Sequence, residues 1–206
     1  PNWMQPFAMA LGINSDSFGD WRDIIFSNTE EIILVEGEID KDYLLDLKHE
    51  KHGVKRLVFE GDIFAYGGEG FLSNELMVKF ILGRFSKVLV TYDLDFEVKN
   101  SQRLDKLGLK KNEDHISVGL NIPGKKCIEG LLPNRILSVV AEKNSDTFSH
   151  ALTNEEGSKS ARQKIKRLKQ EEFFKTCVPG SSDYEGLYTL ARSIERCLSR
   201  KKKAAC

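Results

Sequence analysis

Two acidic clusters stand where apolar runs stop. Glu36-Gly37-Glu38-Ile39-Asp40 follows Ile32-Ile33-Leu34-Val35, and Asp93-Leu94-Asp95 lies just beyond Val88-Leu89-Val90. Carboxylates hold hard divalent cations, and acids crowded together repel one another unless a cation or a proton neutralises them. Glu36 and Asp40 are four residues apart, about one helical turn, so both can face one point above a sheet. Asp93 and Asp95, two apart, point the same way, because successive strand residues face opposite sides of the sheet. A fifth acid, Glu129, sits in Lys125-Lys126-Cys127-Ile128-Glu129-Gly130-Leu131-Leu132-Pro133, where a short helix is expected to follow a fourth strand. An all-oxygen ligand set favours Mg²⁺ or Mn²⁺ over zinc. Two such ions would stabilise the attacking and leaving oxygens of an in-line phosphoryl displacement without a covalent protein nucleophile. Lys159 and Lys164 are the candidates for balancing charge that develops on the phosphate.

The elements that must position these acids read as alternating strands and helices. Short β-branched runs followed by amphipathic stretches are the pattern of a parallel α/β sheet, whose ligands bind at the carboxyl ends of the strands. The predicted order is strand 31–36, helix 40–51, strand 54–59, helix 70–85, strand 87–93, helix 98–107 and strand 115–120. Single helices between strands imply right-handed crossovers. Gly67-Gly68-Glu69-Gly70 opens the second helix. Its spacing matches neither the P-loop nor the dinucleotide fingerprint, so a tight turn with positive φ is favoured over a phosphate cradle.

Beyond Pro133 the character changes. Residues 144–157 read as a polar loop. The next stretch, 158–175, reads as a helix with Ile165, Leu168 and Phe173 on one face and Lys159, Arg162, Lys164, Lys166, Arg167 and Lys169 elsewhere. A helix over 184–198 carries Leu187, Leu190, Ala191, Ile194 and Leu198, with Ser181-Ser182-Asp183 as its expected cap. The tail Arg200–Lys203 is basic. A basic carboxyl-terminal quarter suits a neighbouring polyphosphate backbone. Three regions are expected: an N-terminal helix and loop over 1–29 (helix near 7–12, polar loop 14–19), a catalytic domain over 30–140, and a basic helical extension over 141–206.

The 206 residues carry 31 Lys and Arg against 31 Asp and Glu, so the net field does not announce a polyanion partner. Cys127, Cys177, Cys197 and Cys206 form no C-x-x-C pair, which argues against a zinc ribbon or a disulfide framework and points to a reduced, cytoplasmic setting. His49, His52, His115 and His150 show no metal spacing and read as surface or loop residues. No run approaches the roughly 20 apolar residues of a membrane span, and no signal peptide is evident. The apolar start after Pro1, with Trp3, Phe7, Met9 and Leu11, suggests a piece of a longer protein.

The segments Ile33-Leu34-Val35-Glu36-Gly37-Glu38-Ile39-Asp40-Lys41-Asp42-Tyr43-Leu44 and Val88-Leu89-Val90-Thr91-Tyr92-Asp93-Leu94-Asp95 resemble the two signature motifs of TOPRIM domains, found in topoisomerases, bacterial primases and several nucleases. Asp40 and the later Ile128-Glu129-Gly130-Leu131-Leu132-Pro133 resemble the OLD (overcoming lysogenization defect) nucleases, in which an ABC-type ATPase precedes a C-terminal TOPRIM nuclease, often in phage defence. The resemblance spans about residues 31–133, with a loose likeness over 158–198. It implies a Rossmann-like parallel sheet flanked by helices, with a C-terminal helical extension. It also implies Glu36, Asp40, Asp93, Asp95 and Glu129 as ligands of two Mg²⁺ or Mn²⁺ ions, and a DNA endonuclease with Glu36, Asp93 and Asp95 at its catalytic centre. An ATPase part of the same chain and homo-oligomerisation through it are implied as well. Cys127 departs from the hydroxyl or acidic residue that some members carry there. Two alternatives remain: a topoisomerase or primase module, whose nucleophilic tyrosine domain or zinc module is not visible here, and a non-catalytic assembly module.

Overall fold

In the computed structural model, described for residues 24, 26–153 and 157–199, four strands form one parallel sheet. They are β1 (Glu31–Val35), β2 (Asp62–Ala65), β3 (Lys87–Asp93) and β4 (His115–Val118), in the order β2-β1-β3-β4. β1 and β3 carry the apolar runs Ile32–Val35 and Val88–Val90 because both faces of the sheet are covered. Ile33, Val35, Leu89, Ile116 and Val118 point to one face and Ile32, Leu34, Val88, Val90 and Tyr92 to the other.

The first face is packed by α1 (Glu38–Lys48) through Tyr43, Leu44 and Leu47, by α5 (Asn134–Lys143) through Ile136, by α7 (Ser158–Thr176) through Phe173, and by α8 (Glu185–Leu198). The second is packed by α3 (Glu75–Arg84) through Met77, Val78 and Ile81, and by α4 (Glu97–Lys106) through Leu104. The chain thus leaves β1 over one face and returns to β3 over the other, which opens a crevice between the carboxyl ends of β1 and β3. The residues expected to form a separate basic extension are part of this core. Phe173, Tyr184, Leu187, Tyr188 and Ile194 share one cluster with Ile33 and Val35.

Several elements differ from their sequence reading. The strand expected over 54–59 is not there: Glu50–Lys55 is a 3₁₀ turn, and β2 begins at Asp62. Leu57 and Phe59 are buried while Val54 and Val58 face solvent, an alternation that imitates a strand. The backbone donors nevertheless go elsewhere, Leu57 N–H to the Leu47 carbonyl at 2.8 Å and Val58 N–H to the Glu195 carboxylate at 2.7 Å. The helix expected over 70–85 is two, α2 (Glu69–Leu72) and α3, because Asn74 leaves helical geometry and its side chain caps the Met77 N–H at 3.2 Å.

The loop expected over 144–157 contains α6 (Ser145–Ala151). The cap expected at 181–183 does not form, because Asp183 pairs with Arg135 instead. His52 and His115, expected at the surface, are buried, each held by a tyrosine hydroxyl and an aspartate. Gly67 and Gly68 do adopt positive φ, 79° and 103°. The expected helix near 7–12, the loop 14–19 and the basic tail 200–203 lie outside the described residues. Among the described residues no helix is long and apolar enough to cross a membrane.

Candidate functional site

Glu36 stands one residue beyond β1, and Asp93 is the last residue of β3. They meet across the crevice: the Asp93 N–H donates to Glu36 Oε2 at 3.3 Å. Asp93 alternates in step with Leu89, so its side chain lies on the α1 side of the sheet. Asp40, in the first turn of α1, folds back so that Oδ2 accepts the Gly37 N–H at 2.8 Å. That capping contact suits an acid at a helix N-terminus and fixes the carboxylate above the strand ends.

Glu129 arrives from the opposite side on the 3₁₀ turn Ile128–Leu131 and is 2 % exposed. Neither of its carboxylate oxygens has a hydrogen-bond partner, and the same is true of the buried Tyr43 hydroxyl. Gly130 permits this approach, since a Cβ there would lie 2.1 Å from the Lys125 carbonyl oxygen.

Crowded acids and low solvent access shift two of these groups. Burial, followed by repulsion from Glu129, pushes the Asp40 carboxyl up to about 7 despite the opposing pull of Lys166 and the Gly37 N–H. Burial pushes Asp93 up to about 8, with Lys166 opposing and Asp40, Glu36 and Glu129 adding. The Cys127 thiol is pushed up to about 12, by burial first and then by Glu129. The Lys166 ammonium lies 3.7 Å from both Asp93 Oδ2 and Glu129 Oε1. Burial alone would lower its pKa, but Glu129, Asp93 and Asp40 outweigh that and keep it charged.

The structure therefore gathers Glu36, Asp40, Asp93 and Glu129 and sets Asp95 apart. β3 ends at Asp93 and Leu94–Phe96 is a 3₁₀ turn, so the alternation argued for Asp93 and Asp95 stops one residue short. The Asp95 side chain is 60 % exposed and pairs with Lys126 at 3.4 Å. The expected lysines are not those at the acids: Lys159 and Lys164 are exposed and Lys166 reaches in. On a 3.6-residue period, Lys159, Arg162, Lys166, Gln170 and Phe173 share a stripe, whereas Lys164 lies across the helix. Gln170 donates to the Ile39 carbonyl at 3.3 Å and Phe173 is buried. That spacing was the available signal for Lys166.

Among the described residues no three His, Cys, Asp or Glu side chains are drawn tightly enough to cage an ion. The donor set still fits a hard divalent cation: it is all oxygen, carries more negative charge than one ammonium balances, and includes two buried carboxylate oxygens with no hydrogen-bond partner. No family model matches the chain, and neither a curated protein nor a solved structure matches it at a significant level.

Proposed function

We propose that this chain is a Mg²⁺- or Mn²⁺-dependent endonuclease that cuts DNA phosphodiester bonds, of the TOPRIM type carried by OLD-family nucleases. The observation that carries the reading is the buried Glu129 carboxylate, whose two oxygens have no hydrogen-bond partner, close enough to repel Asp40 and Asp93 at the switch point of a parallel sheet. Glu36, Asp40, Asp93 and Glu129 would hold the metal, with Asp95 at the rim. When bound, the ion supplies Lewis-acid stabilisation to the phosphoryl oxygens.

The chain's own residues do the rest. The Asp93 N–H orients Glu36, and the Gly37 N–H orients Asp40. Lys166, fixed by Gln170 and Phe173 further along α7, places a positive charge beside the reacting phosphate. Lys159 and Arg162, on the same stripe nearer the start of α7, extend that charge outward for the backbone of the substrate. An ATPase part in the same chain, homo-oligomerisation through it, a cytoplasmic location and a role against phage belong to the same reading.

The test is nicking of supercoiled plasmid with Mg²⁺ or Mn²⁺. Asp93→Ala and Glu36→Ala, folded by circular dichroism, should abolish it; variants that cut like the parent refute the assignment. The inserted Lys166 favours one other reading, an assembly module in which an ammonium permanently balances the acids. Calorimetry with Mn²⁺ separates the two, because that module binds none.

A further inference from the structure

The loop between β4 and Glu129 is apolar at its tip, and its backbone is pinned. Leu120 N–H donates to the Lys125 carbonyl at 2.7 Å, Lys125 N–H to the Ile122 carbonyl at 3.0 Å, and Ile122 N–H to the Leu120 carbonyl at 2.7 Å. At its root, Gly119 has φ 123° and packs so closely on Lys126 that a Cβ would lie 2.4 Å from that carbonyl carbon. Residues 120–124 are nevertheless exposed, with Leu120 at 40 % and Ile122 at 49 %.

A second exposed element is fastened to this loop. Leu94 N–H donates to the Lys126 carbonyl at 2.8 Å and Lys126 pairs with Asp95. The next residue is Phe96, an aromatic ring 38 % exposed. A pinned apolar tip, an open ring and the Lys125 and Lys126 side chains thus stand on the joined segments that lead out of Asp93 and into Glu129.

We infer that Phe96 and the Leu120–Ile122 tip form a stacking platform for unpaired bases, so that the site takes single-stranded or locally opened nucleic acid in preference to continuous duplex. Base faces stack on aromatic and apolar side chains whatever the sequence, while a paired duplex keeps those faces inside its own stack. The pinned backbone means that little ordering is needed when a base arrives. Lys125 and Lys126, at the root of the tip, suit the phosphates of the same strand. The inference rests on the nuclease reading for its substrate class.

The experiment is fluorescence anisotropy of a labelled oligothymidylate of about 12 nucleotides, within the usual span of one such platform, against a duplex of equal length. The full chain is used with Ca²⁺ in place of Mg²⁺. The single strand should bind more tightly. Phe96→Ala and Ile122→Ser should each weaken single-strand binding roughly tenfold and leave duplex binding unchanged, Lys159→Ala should weaken both forms alike, and Leu152→Ser, at another exposed site, should change neither. Equal or tighter binding of duplex, or full single-strand affinity in both platform variants, overturns the platform while leaving the nuclease reading standing. Absence of binding to either form overturns both. A dimer dissolved by Ile122→Ser with oligonucleotide binding intact assigns the tip to a second copy and also overturns the proposal. Selective binding without metal-dependent cutting sinks only the nuclease reading.

Discussion

The backbone N–H of Asp93 donates to Glu36 Oε2 at 3.3 Å, joining the carboxyl ends of two neighbouring parallel strands. The contact is possible because β1 and β3 pair in a register that sets Leu34 opposite Val90. Residues two or three beyond that pair then leave the sheet together, on the two sides of the crevice.

Lys166 and Lys164 separate position from composition. Lys166→Met should lower metal-dependent cutting by at least about a hundredfold, the scale for loss of a fixed charge aimed at a transition state. Lys164→Met, across the helix, should stay within about twofold of the parent. Initial rates of plasmid nicking at saturating Mn²⁺ make the comparison, and equal losses in the two variants would show that general basicity is what matters.

Stability without divalent ions should fall as pH rises. Asp40 and Asp93 titrate at about 7 and about 8 in the folded chain, against an ordinary 3.8. Between those values the folded state holds protons that the unfolded state has released, so raising the pH favours unfolding. The slope approaches about 1.4 kcal/mol per pH unit for each carboxyl. Tm in EDTA should decline between about pH 4 and about pH 8, the window in which the two states differ in bound protons. Asp93→Asn should flatten part of that decline. A parent Tm that climbs across the window contradicts the burial argument.

Gly130 is tested by adding one methyl. Gly130→Ala forces a Cβ towards the Lys125 carbonyl oxygen, where only 2.1 Å is available. The expected cost is about 1–3 kcal/mol, as for other overpacked sites. Because the strained residue adjoins Glu129, Mn²⁺ affinity by calorimetry should weaken as well; unchanged affinity would mean that the turn shifts without moving the carboxylate.

Tyr188 is a structural counterpart, remote in role from the acids. Its hydroxyl bridges His52 Nδ1 at 2.8 Å and the Gly180 N–H at 2.7 Å, while His52 Nε2 meets Asp46 Oδ2 at 3.0 Å. Tyr188→Phe keeps the ring and strands those partners, at about 1–3 kcal/mol. Urea denaturation should show a lower midpoint with an unchanged slope, and nicking at a temperature well below Tm should match the parent.

β1 and β3 were legible because a strand covered on both faces carries an apolar run, and the acids marked where each one stops. β2 was not legible. The alternation of Val54, Leu57, Val58 and Phe59 looks like a strand, yet its donors are taken by Leu47 and Glu195, residues distant in the chain. The true strand, Asp62–Ala65, is only four residues long. Glu36, Asp40, Asp93 and Glu129 could be read from their places beside the strand ends. Asp95 was misplaced because a 3₁₀ turn breaks the two-residue period one step after Asp93. Lys166 is one of seven basic residues on α7; its spacing from Gln170 and Phe173 puts it on the packed stripe, but that it meets the acids is decided by how α7 lies on α1, a matter of tertiary packing.

That packing makes α7 a lever. Its far half is wedged: the Phe173 ring lies 4.6 Å from the Tyr184 ring and 6.1 Å from that of Tyr43. The Lys166 ammonium, near the middle of the helix, sits seven residues, about two turns, from this wedge. A change that loosens the aromatic contacts would shift the ammonium against the acids without replacing a single carboxylate.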